Sequence, residues 1–293
     1  MSKIIVCNVP EYINFSPLLT DATKCTLHGS FPETPLIVKT MTNLTNALLA
    51  LCCLGLLSTT AHAKHQATLV FDKPASQVET AILKRIRQTG DAQEVIDLVN
   101  QKLRLPKPLS IVFGGTDGPL YDPEINKILV PYLFIDEVKK RFVKAKYSET
   151  GVSPDEAADD ALMHTLFHEL GHALIEMYQL PVVGKEEDAV DSLANVLLIE
   201  FYDEGQETVL SAADLFDLES EDKNGGFEEA DFWDEHSLDE QRYYNTLCHV
   251  YGSDPDKYAS AIEDTDISDD RAELCIVEYE TAVRNWFKLL RIK

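Results

Sequence analysis

The sequence is poor in basic residues. Lysine and arginine make up 26 of its 293 residues, against 50 aspartates and glutamates, and the formal net charge is −24. A surface with this excess of negative charge repels the phosphates of DNA, RNA and anionic membranes, which argues against nucleic-acid binding. Residues 1–63 hold three basic and three acidic residues, so the whole excess lies in residues 64–293.

The sequence also lacks an apolar run that could span a bilayer near its start. The run Ala47–Leu57 has eleven residues, whereas a transmembrane helix needs about 20. Ala61-His62-Ala63 follows, which has the small residues of a signal-peptide cleavage site. We therefore expect residues 41–63 to be a signal peptide cleaved after Ala63. Residues 64–293 would then be the exported domain, periplasmic or secreted, with no stable membrane span.

The natural start of the chain is the open point of this interpretation. We expect residues 1–40 to be an extension ahead of the true start codon, because a signal peptide lies at the N-terminus of its protein. A start at Met41 leaves the signal without a basic residue, whereas a start at Val38 would include Lys39. Two alternatives are less favoured, namely a retained anchor and a lipoprotein acylated at Cys52 or Cys53.

Cysteine is scarce beyond the predicted cleavage site. Only Cys248 and Cys275 remain there, and two cysteines in an exported domain indicate one disulfide. It would join the helix predicted around Tyr243–Val250 to a last long helix, from about Ser268 to Leu290. Two buried free thiols are the alternative. Neither cysteine has a second metal ligand nearby, so they do not form a zinc site of their own.

The most informative segment is His168-Glu169-Leu170-Gly171-His172, an HExxH motif. Two histidines four residues apart lie on one face of a helix, from which both imidazoles can bind one zinc ion. The glutamate between them can take a proton from a water at the open position of the metal. His164 precedes His168 by one turn, but eight residues turn a helix too far for His164 and His172 to share one metal.

A second predicted helix, Lys185–Tyr202, supplies the third ligand that a catalytic zinc site needs. Glu187 lies fifteen residues beyond His172, across one tight turn, so an antiparallel helix can return it to the metal. Asp191 lies one turn further and is placed to accept the outer N–H of a ligating histidine. Glu186 is the alternative ligand, but only Glu187 has an aspartate one turn later.

HExxH followed by ExxxD resembles the gluzincin metallopeptidases. The stretch FHELGHALIEMYQLPVVGKEEDAVDSLANVLL resembles, more narrowly, a domain family of secreted bacterial proteins whose zinc metallopeptidase activity is inferred from this motif. The similarity extends upstream to PLYDPEINKILVPY and downstream to LCHVYGSDP and RAELCIVEYETAVRNWFKLL. The resemblance implies one Zn²⁺ per chain at His168, His172 and Glu187, with Glu169 as general base.

The function expected from this site is peptide-bond hydrolysis by a metal-activated water. The oxyanion of the tetrahedral intermediate needs a donor besides the metal. The resemblance implies a downstream histidine, tyrosine or arginine, and five candidates stay open, namely His236, Tyr243, Tyr244, Tyr251 and Arg271. The partner is a peptide or protein substrate. The alternatives are a zinc hydrolase of another amide, such as a cell-wall crosslink, and a non-catalytic zinc-containing binding protein.

The pattern of elements predicts an α+β domain that is rich in helix, zincin-like, with a small sheet before the HExxH helix. Residues Gln77–Gln88 and Ala92–Leu103 have helical periodicity, whereas Leu109–Phe113 and Lys127–Val130 have the composition of strands. Substrate is expected to pair with an edge strand at Ile125–Pro131. The acidic run Asp214–Glu240 predicts a loop. After Ser211 the predicted helices are Leu238–Val250, Asp256–Ile262 and the terminal helix.

Overall fold

The computed structural model describes residues 66–221, 226–263 and 265–292, so the predicted signal peptide and N-terminal extension lie outside the described residues. The strands are Ala67–Phe71 (β1), Leu109–Phe113 (β2), Leu120–Asp122 (β3) and Lys127–Val130 (β4). The helices are Gln77–Thr89 (α1), Asp91–Lys102 (α2), Tyr132–Lys144 (α3), Pro154–Tyr178 (α4), Glu186–Phe201 (α5), Gly205–Ser220 (α6), Asp239–Ser253 (α7), Ser260–Glu263 (α8) and Asp269–Leu290 (α9). The α+β class with a small sheet ahead of the HExxH helix is confirmed.

The sheet has the strand order β1-β2-β4-β3. Strands β1, β2 and β4 are parallel, and β3 is antiparallel to β4. Helices α1 and α2 connect β1 to β2, as parallel pairing requires. The strands expected at Leu109–Phe113 and Lys127–Val130 are confirmed. The edge strand expected at Ile125–Pro131 is wrong, because β4 pairs on both sides and β3 is the edge.

Helix α4 carries the HExxH motif and begins at a well-formed cap. The Ser153 side chain accepts a hydrogen bond from the Glu156 backbone N–H at 3.1 Å, and Pro154 occupies the first turn. The helix ends where Gln179 adopts a left-handed conformation with φ of 52°. Its middle is buried on all sides, because the sheet, α5 and α6 all pack against it. Such a helix is largely apolar around its circumference, and its buried polar residues are His164 and those of the motif.

Helix α5 packs closely against α4 because the HExxH motif contains a glycine. A Cβ added at Gly171 would lie 2.7 Å from Val190 Cγ1 and 3.3 Å from Val190 Cα. Any larger residue would push α5 outward. The predicted span Lys185–Tyr202 agrees with the observed helix to within one residue at each end. Glycine at position 171 therefore lets α5 bring its first turn up to the two histidines.

The C-terminal half is helical and carries the disulfide. Cys248 on α7 is bonded to Cys275 on α9, which confirms the predicted pair. The predicted loop Asp214–Glu240 is wrong in its first part, because α6 continues to Ser220 with Leu215 and Phe216 buried. The predicted helix Asp256–Ile262 is wrong too, since turns precede the one-turn helix α8.

No helix within residues 66–221, 226–263 and 265–292 is both long enough and apolar enough to cross a membrane.

Candidate metal centre

A cleft of about 700 Å³ opens where β3, α4 and the first turn of α5 meet. Residues 235–236, between α6 and α7, form its remaining wall. Its lining includes Tyr121 on β3 and the residues His168, Glu169, His172, Glu187 and His236. The predicted ligands and the predicted base therefore lie together in one cleft.

Three of these side chains are arranged as metal ligands. The Nε2 atoms of His168 and His172 lie 3.3 Å apart, and Glu187 Oε2 lies 3.2 Å from the first and 3.4 Å from the second. Ligand atoms at about 2.0–2.1 Å from a tetrahedral zinc are separated by about 3.3–3.4 Å. One atom from each of His168, His172 and Glu187 therefore lies close enough to the other two to share a single metal ion.

The carboxylate of Glu187 also suits a bound cation. Its Oε2 atom is buried and has no hydrogen-bond partner of good geometry, although it lies within ion-pair distance of three histidines. A buried carboxylate oxygen without a partner is costly. Two imidazoles and one carboxylate are a donor set that suits zinc. The residues present therefore fit the metal that the sequence predicts.

The electrostatics of the ligands favour a positive charge between them. Burial lowers the pKa of His168, but the Asp191 and Glu187 carboxylates outweigh it and raise that pKa to about 9. Burial raises the pKa of Glu187, but the three histidines beside its carboxylate hold that pKa far below its usual range. A cation at this place would replace protons on the imidazoles, as metal binding at histidine sites does.

Asp191 holds the outer nitrogen of His168. Its Oδ1 atom accepts from His168 Nδ1 at 2.7 Å, which directs Nε2 into the cleft. Arg242 on α7 holds the same carboxylate with two hydrogen bonds, from Nε at 2.8 Å and from Nη2 at 3.0 Å. The Arg242 guanidinium also lies over the Phe216 ring at 4.0 Å. These contacts fix the tautomer and orientation of the histidine.

His172 is oriented in the same manner by the alternative ligand of the sequence analysis. Glu186 Oε1 lies 2.9 Å from His172 Nδ1, on the side of the ring away from His168. Glu186 therefore contacts the outer nitrogen, and Glu187 contacts the inner one. The two adjacent carboxylates therefore lie on opposite sides of the His172 ring. Only that of Glu187 lies beside the Nε2 atoms of both histidines.

Glu169 lies beside the ligands without belonging to them. It is buried, with 7% of its surface exposed. Burial raises its pKa, whereas the positive charges of His168 and His172 and the nearby Tyr121 backbone N–H lower it without cancelling the effect of burial. A carboxylate whose pKa is raised toward neutrality suits the task of a general base. The edge strand β3 thus contacts the group that would move the proton.

His236 is the one oxyanion candidate that lines the cleft. Its Nε2 atom lies 3.1 Å from Glu187 Oε2, and the Glu187 carboxylate raises the pKa of His236. Asp234 Oδ1 accepts from the His236 backbone N–H at 2.9 Å and lies 3.3 Å from Nδ1. The carboxylate of Asp234 therefore orients the imidazole so that Nε2 faces the ligands.

The other four candidates lie outside the cleft lining. Tyr243 and Tyr244 contact each other with ring centroids 5.1 Å apart, Tyr251 is half-buried on α7, and Arg271 pairs with Glu278 on α9. His164 is buried behind the site, with Nε2 3.1 Å from Asn195 Oδ1. As the sequence predicts, His164 is not grouped with the ligands.

Sequence reasoning missed two parts of the site. No local pattern indicates Arg242, because its partner Asp191 is 51 residues away in the sequence. Tyr121 on β3 was missed because the strand is only three residues long. Pro119 and Pro123 flank β3 and line the same cleft. Proline in a sheet is largely confined to edge strands, so these two residues are the signal in the sequence for a short edge strand.

Comparison with known protein families identifies the family of this chain. The model of a family described as "Putative metallopeptidase" (DUF4344) matches residues 71–290, about three quarters of the chain. The matched region includes all of α4 and α5 and residues 235–236, and hence the whole cleft. No curated protein and no solved structure matches the chain.

Proposed function

The chain belongs to the DUF4344 metallopeptidase family, and from this premise we propose that it is an exported zinc-dependent peptidase. The observation that carries the proposal is the spacing of His168, His172 and Glu187, whose three ligand atoms are 3.2–3.4 Å apart. They face a cleft that is large enough for an extended peptide and that also contains Glu169.

His168, His172 and Glu187 would hold one Zn²⁺ per chain. Zinc bound there would supply Lewis-acid activation of a water and of the scissile carbonyl. Three protein ligands leave one tetrahedral position for the water, as in catalytic sites, whereas structural sites use four ligands and favour cysteine. The only cysteines in the described region form a disulfide elsewhere. This donor set supports a catalytic role over a structural one.

Glu169 would act as the general base. Its carboxylate accepts the proton of the attacking water and then delivers it to the leaving amine. Burial and the resulting raised pKa support this role. Tyr121 on β3 lines the same cleft as Glu169, and an extended substrate would run along this side of it. His236, held by Asp234, would donate a hydrogen bond from Nε2 to the developing oxyanion.

The first test is zinc content together with turnover of a peptide library. The parent protein should hold one zinc, and both His168→Ala and Glu187→Ala should hold much less. Glu169→Gln should keep its zinc and lose turnover by at least about a thousandfold. Glu176→Gln is the matched control, because Glu176 lines the same cleft but pairs with Lys107 instead of facing the ligands.

The alternatives correspond to other outcomes of this experiment. Turnover that survives both a chelator and Glu169→Gln would contradict the peptidase proposal. Bound zinc with no peptide turnover, but with cleavage of cell-wall fragments, would favour a hydrolase of a non-protein amide. Bound zinc with neither activity would favour a binding protein.

Export is the second part of the proposal. The apolar run that is followed by Ala61-His62-Ala63 supports export. The Cys248–Cys275 disulfide is compatible with an oxidising compartment. N-terminal sequencing of the protein from the periplasm or medium should give a start near Lys64. A start at an acylated Cys52 or Cys53 would favour the lipoprotein alternative, and an intact N-terminus would contradict export.

A further inference from the structure

One wall of the cleft is built from a segment with little buried surface. Residues 226–238, called the His236 segment below, connect the region after α6 to α7 and contain a single turn of 3-10 helix at Glu229–Phe232. The segment has three aromatic residues, and their side chains are mostly exposed: Phe227 by 48%, Phe232 by 65% and Trp233 by 74%. None of them packs against the hydrophobic core. Apolar burial therefore does not fix the position of His236.

A lysine from another element holds this segment instead. Lys185 Nζ donates to the carbonyl oxygen of Asp234 at 3.0 Å and to that of His236 at 2.7 Å. Among the described residues, these are the hydrogen bonds that join residues 233–237 to a different element. A charged donor strengthens hydrogen bonds to carbonyls relative to a neutral one. Lys185 is thus the direct link between the backbone at position 236 and the rest of the domain.

The position of Lys185 along α5 makes this link relevant to the site. It is the residue immediately before the helix, and Glu187 follows two residues later. Residue 185 holds the peptide group of His236, and residue 187 lies 3.1 Å from its imidazole. Lys185 and Glu187, at the start of α5, therefore contact the backbone and the side chain of His236, respectively. Movement of α5 would carry the ligand and His236 together.

The helix itself does not explain a lysine at this place. The N-terminus of a helix has partial positive charge, so a cation there is unfavourable. Lys185 forms no ion pair with any described residue, although three acidic residues follow it. Its ammonium group instead contacts two neutral carbonyl oxygens. The contact with the His236 segment is the feature that accounts for it.

We propose that Lys185 is a positioning residue that fixes the His236 segment against the metal centre, so that His236 Nε2 is held toward the reacting carbonyl. Lys185 does not touch the substrate and acts only through His236. The kinetic part of this inference rests on the proposed peptidase function. The structural part, that Lys185 anchors the segment, is independent of any activity and is tested separately.

Hydrogen–deuterium exchange tests the anchor. Lys185→Met removes the donors and keeps an unbranched side chain, and it should raise amide exchange in residues 233–238 by about tenfold while α4 and α5 stay protected. Lys185→Arg keeps a charged donor and should restore most of the protection. Lys140→Met is the matched control, because Lys140 is an exposed lysine on α3 that pairs only with Asp136 among the described side chains. Unchanged exchange in Lys185→Met would overturn the proposal.

A double-mutant cycle tests the action through His236. Lys185→Met should lower kcat about tenfold, leave KM within about twofold and leave zinc content unchanged, and Lys185→Arg should recover most of the loss. In a His236→Ala background, Lys185→Met should cost nothing further. Losses that multiply, or a loss of zinc, would overturn the positioning role. No turnover in the parent protein would refute the peptidase function, and the exchange result would still decide whether Lys185 is the anchor.

Discussion

The two sides of the cleft are built in different ways. On one side the ligands lie on α4 and α5, whose facing surfaces belong to the hydrophobic core and approach so closely that position 171 has no room for a Cβ. On the other side, His236 lies on an exposed segment held by polar contacts with Lys185 and Glu187. The helical side resembles a rigid scaffold, and the segment resembles a loop attached to it.

This difference suggests a division of tasks between the two sides. A metal ligand must stay within a few tenths of an ångström of its position, which buried helices with supporting hydrogen bonds can ensure. A group that contacts substrate and must release product is suited to a segment that costs little to move. Changes on the helical side should therefore affect stability and metal binding together. Changes in the segment should affect turnover alone.

The largest effect is expected from Arg242→Met, on the helical side. It leaves the buried Asp191 carboxylate without its cation and should cost about 3–5 kcal/mol of unfolding free energy. Because Asp191 orients His168, zinc affinity should fall about 10–100-fold. Chemical denaturation measures the free energy of unfolding, and competition with a chromogenic chelator measures the zinc affinity. Arg284→Met is the control, since Arg284 is exposed. Normal zinc affinity in a destabilised Arg242→Met would contradict the link between the two properties.

His236→Ala tests the exposed segment on the other side of the cleft. It should lower kcat/KM by about 10²–10³, which corresponds to about 2.7–4 kcal/mol of transition-state stabilisation. The melting temperature and the zinc content should not change, because the segment contributes little to the core. Tyr244→Phe should have no effect, because Tyr244 lies outside the cleft. A loss of zinc in His236→Ala would mean that this histidine is a ligand, and the two sides would then not differ.

The helical side is also the part that the sequence predicts well. The histidine spacing and the carboxylates of Glu186 and Glu187 at the start of α5 are local patterns, and each one describes a single helix or its end. Hydrophobic periodicity places α4 and α5, and the short connection makes them antiparallel neighbours. The motif then needs only one tight turn to bring Glu187 to the histidines.

The rest depends on contacts that no local pattern encodes. Arg242 reaches Asp191 across 51 residues, and Lys185 reaches His236 across the same separation. The high density of acidic residues from Asp214 onward concealed the C-terminal part of α6, where buried apolar residues continue to Phe216. The sequence predicts the edge strand at the longer β4, because the three residues of β3 are too few to show the alternation of apolar and polar residues that is typical of a strand. Strand order depends on pairing between strands, which composition does not reveal.

Gly171→Ala tests whether the helical side is as closely packed as it looks. Alanine is the better helix former by about 1 kcal/mol, but its methyl group would overlap the side chain and backbone of Val190. We expect a net destabilisation of about 2 kcal/mol, as for other overpacked cores, with weaker zinc binding because α5 moves outward. Gly184→Ala is the matched control, since a Cβ there has no atom within 4 Å. Equal stability of the two variants would show that the helices can separate without cost.

The smallest predicted effect is a pH dependence of the unfolding free energy. It separates unfolding of the helices from titration of the groups in the cleft. Burial raises the pKa of Asp160 on α4 to about 6, although Ser211 and Thr208 donate hydrogen bonds to it. Well below pH 4 this carboxyl is protonated in both the folded and unfolded states. Well above pH 6 it is ionised in both, and the burial of its charge costs stability. The metal-free protein should therefore lose about 1–2 kcal/mol between pH 4 and pH 6 through this residue.

Asp160→Asn should remove that dependence, so the difference between the two urea-denaturation free energies should change over pH 4–6 and stay constant above pH 7. Because this contribution stabilises the scaffold as the pH falls, a loss of peptidase activity over the same range would come from the groups in the cleft and not from unfolding of α4. Free energies that remain parallel for the two proteins would show that Asp160 is solvated, and that acid inactivation can begin in the helices.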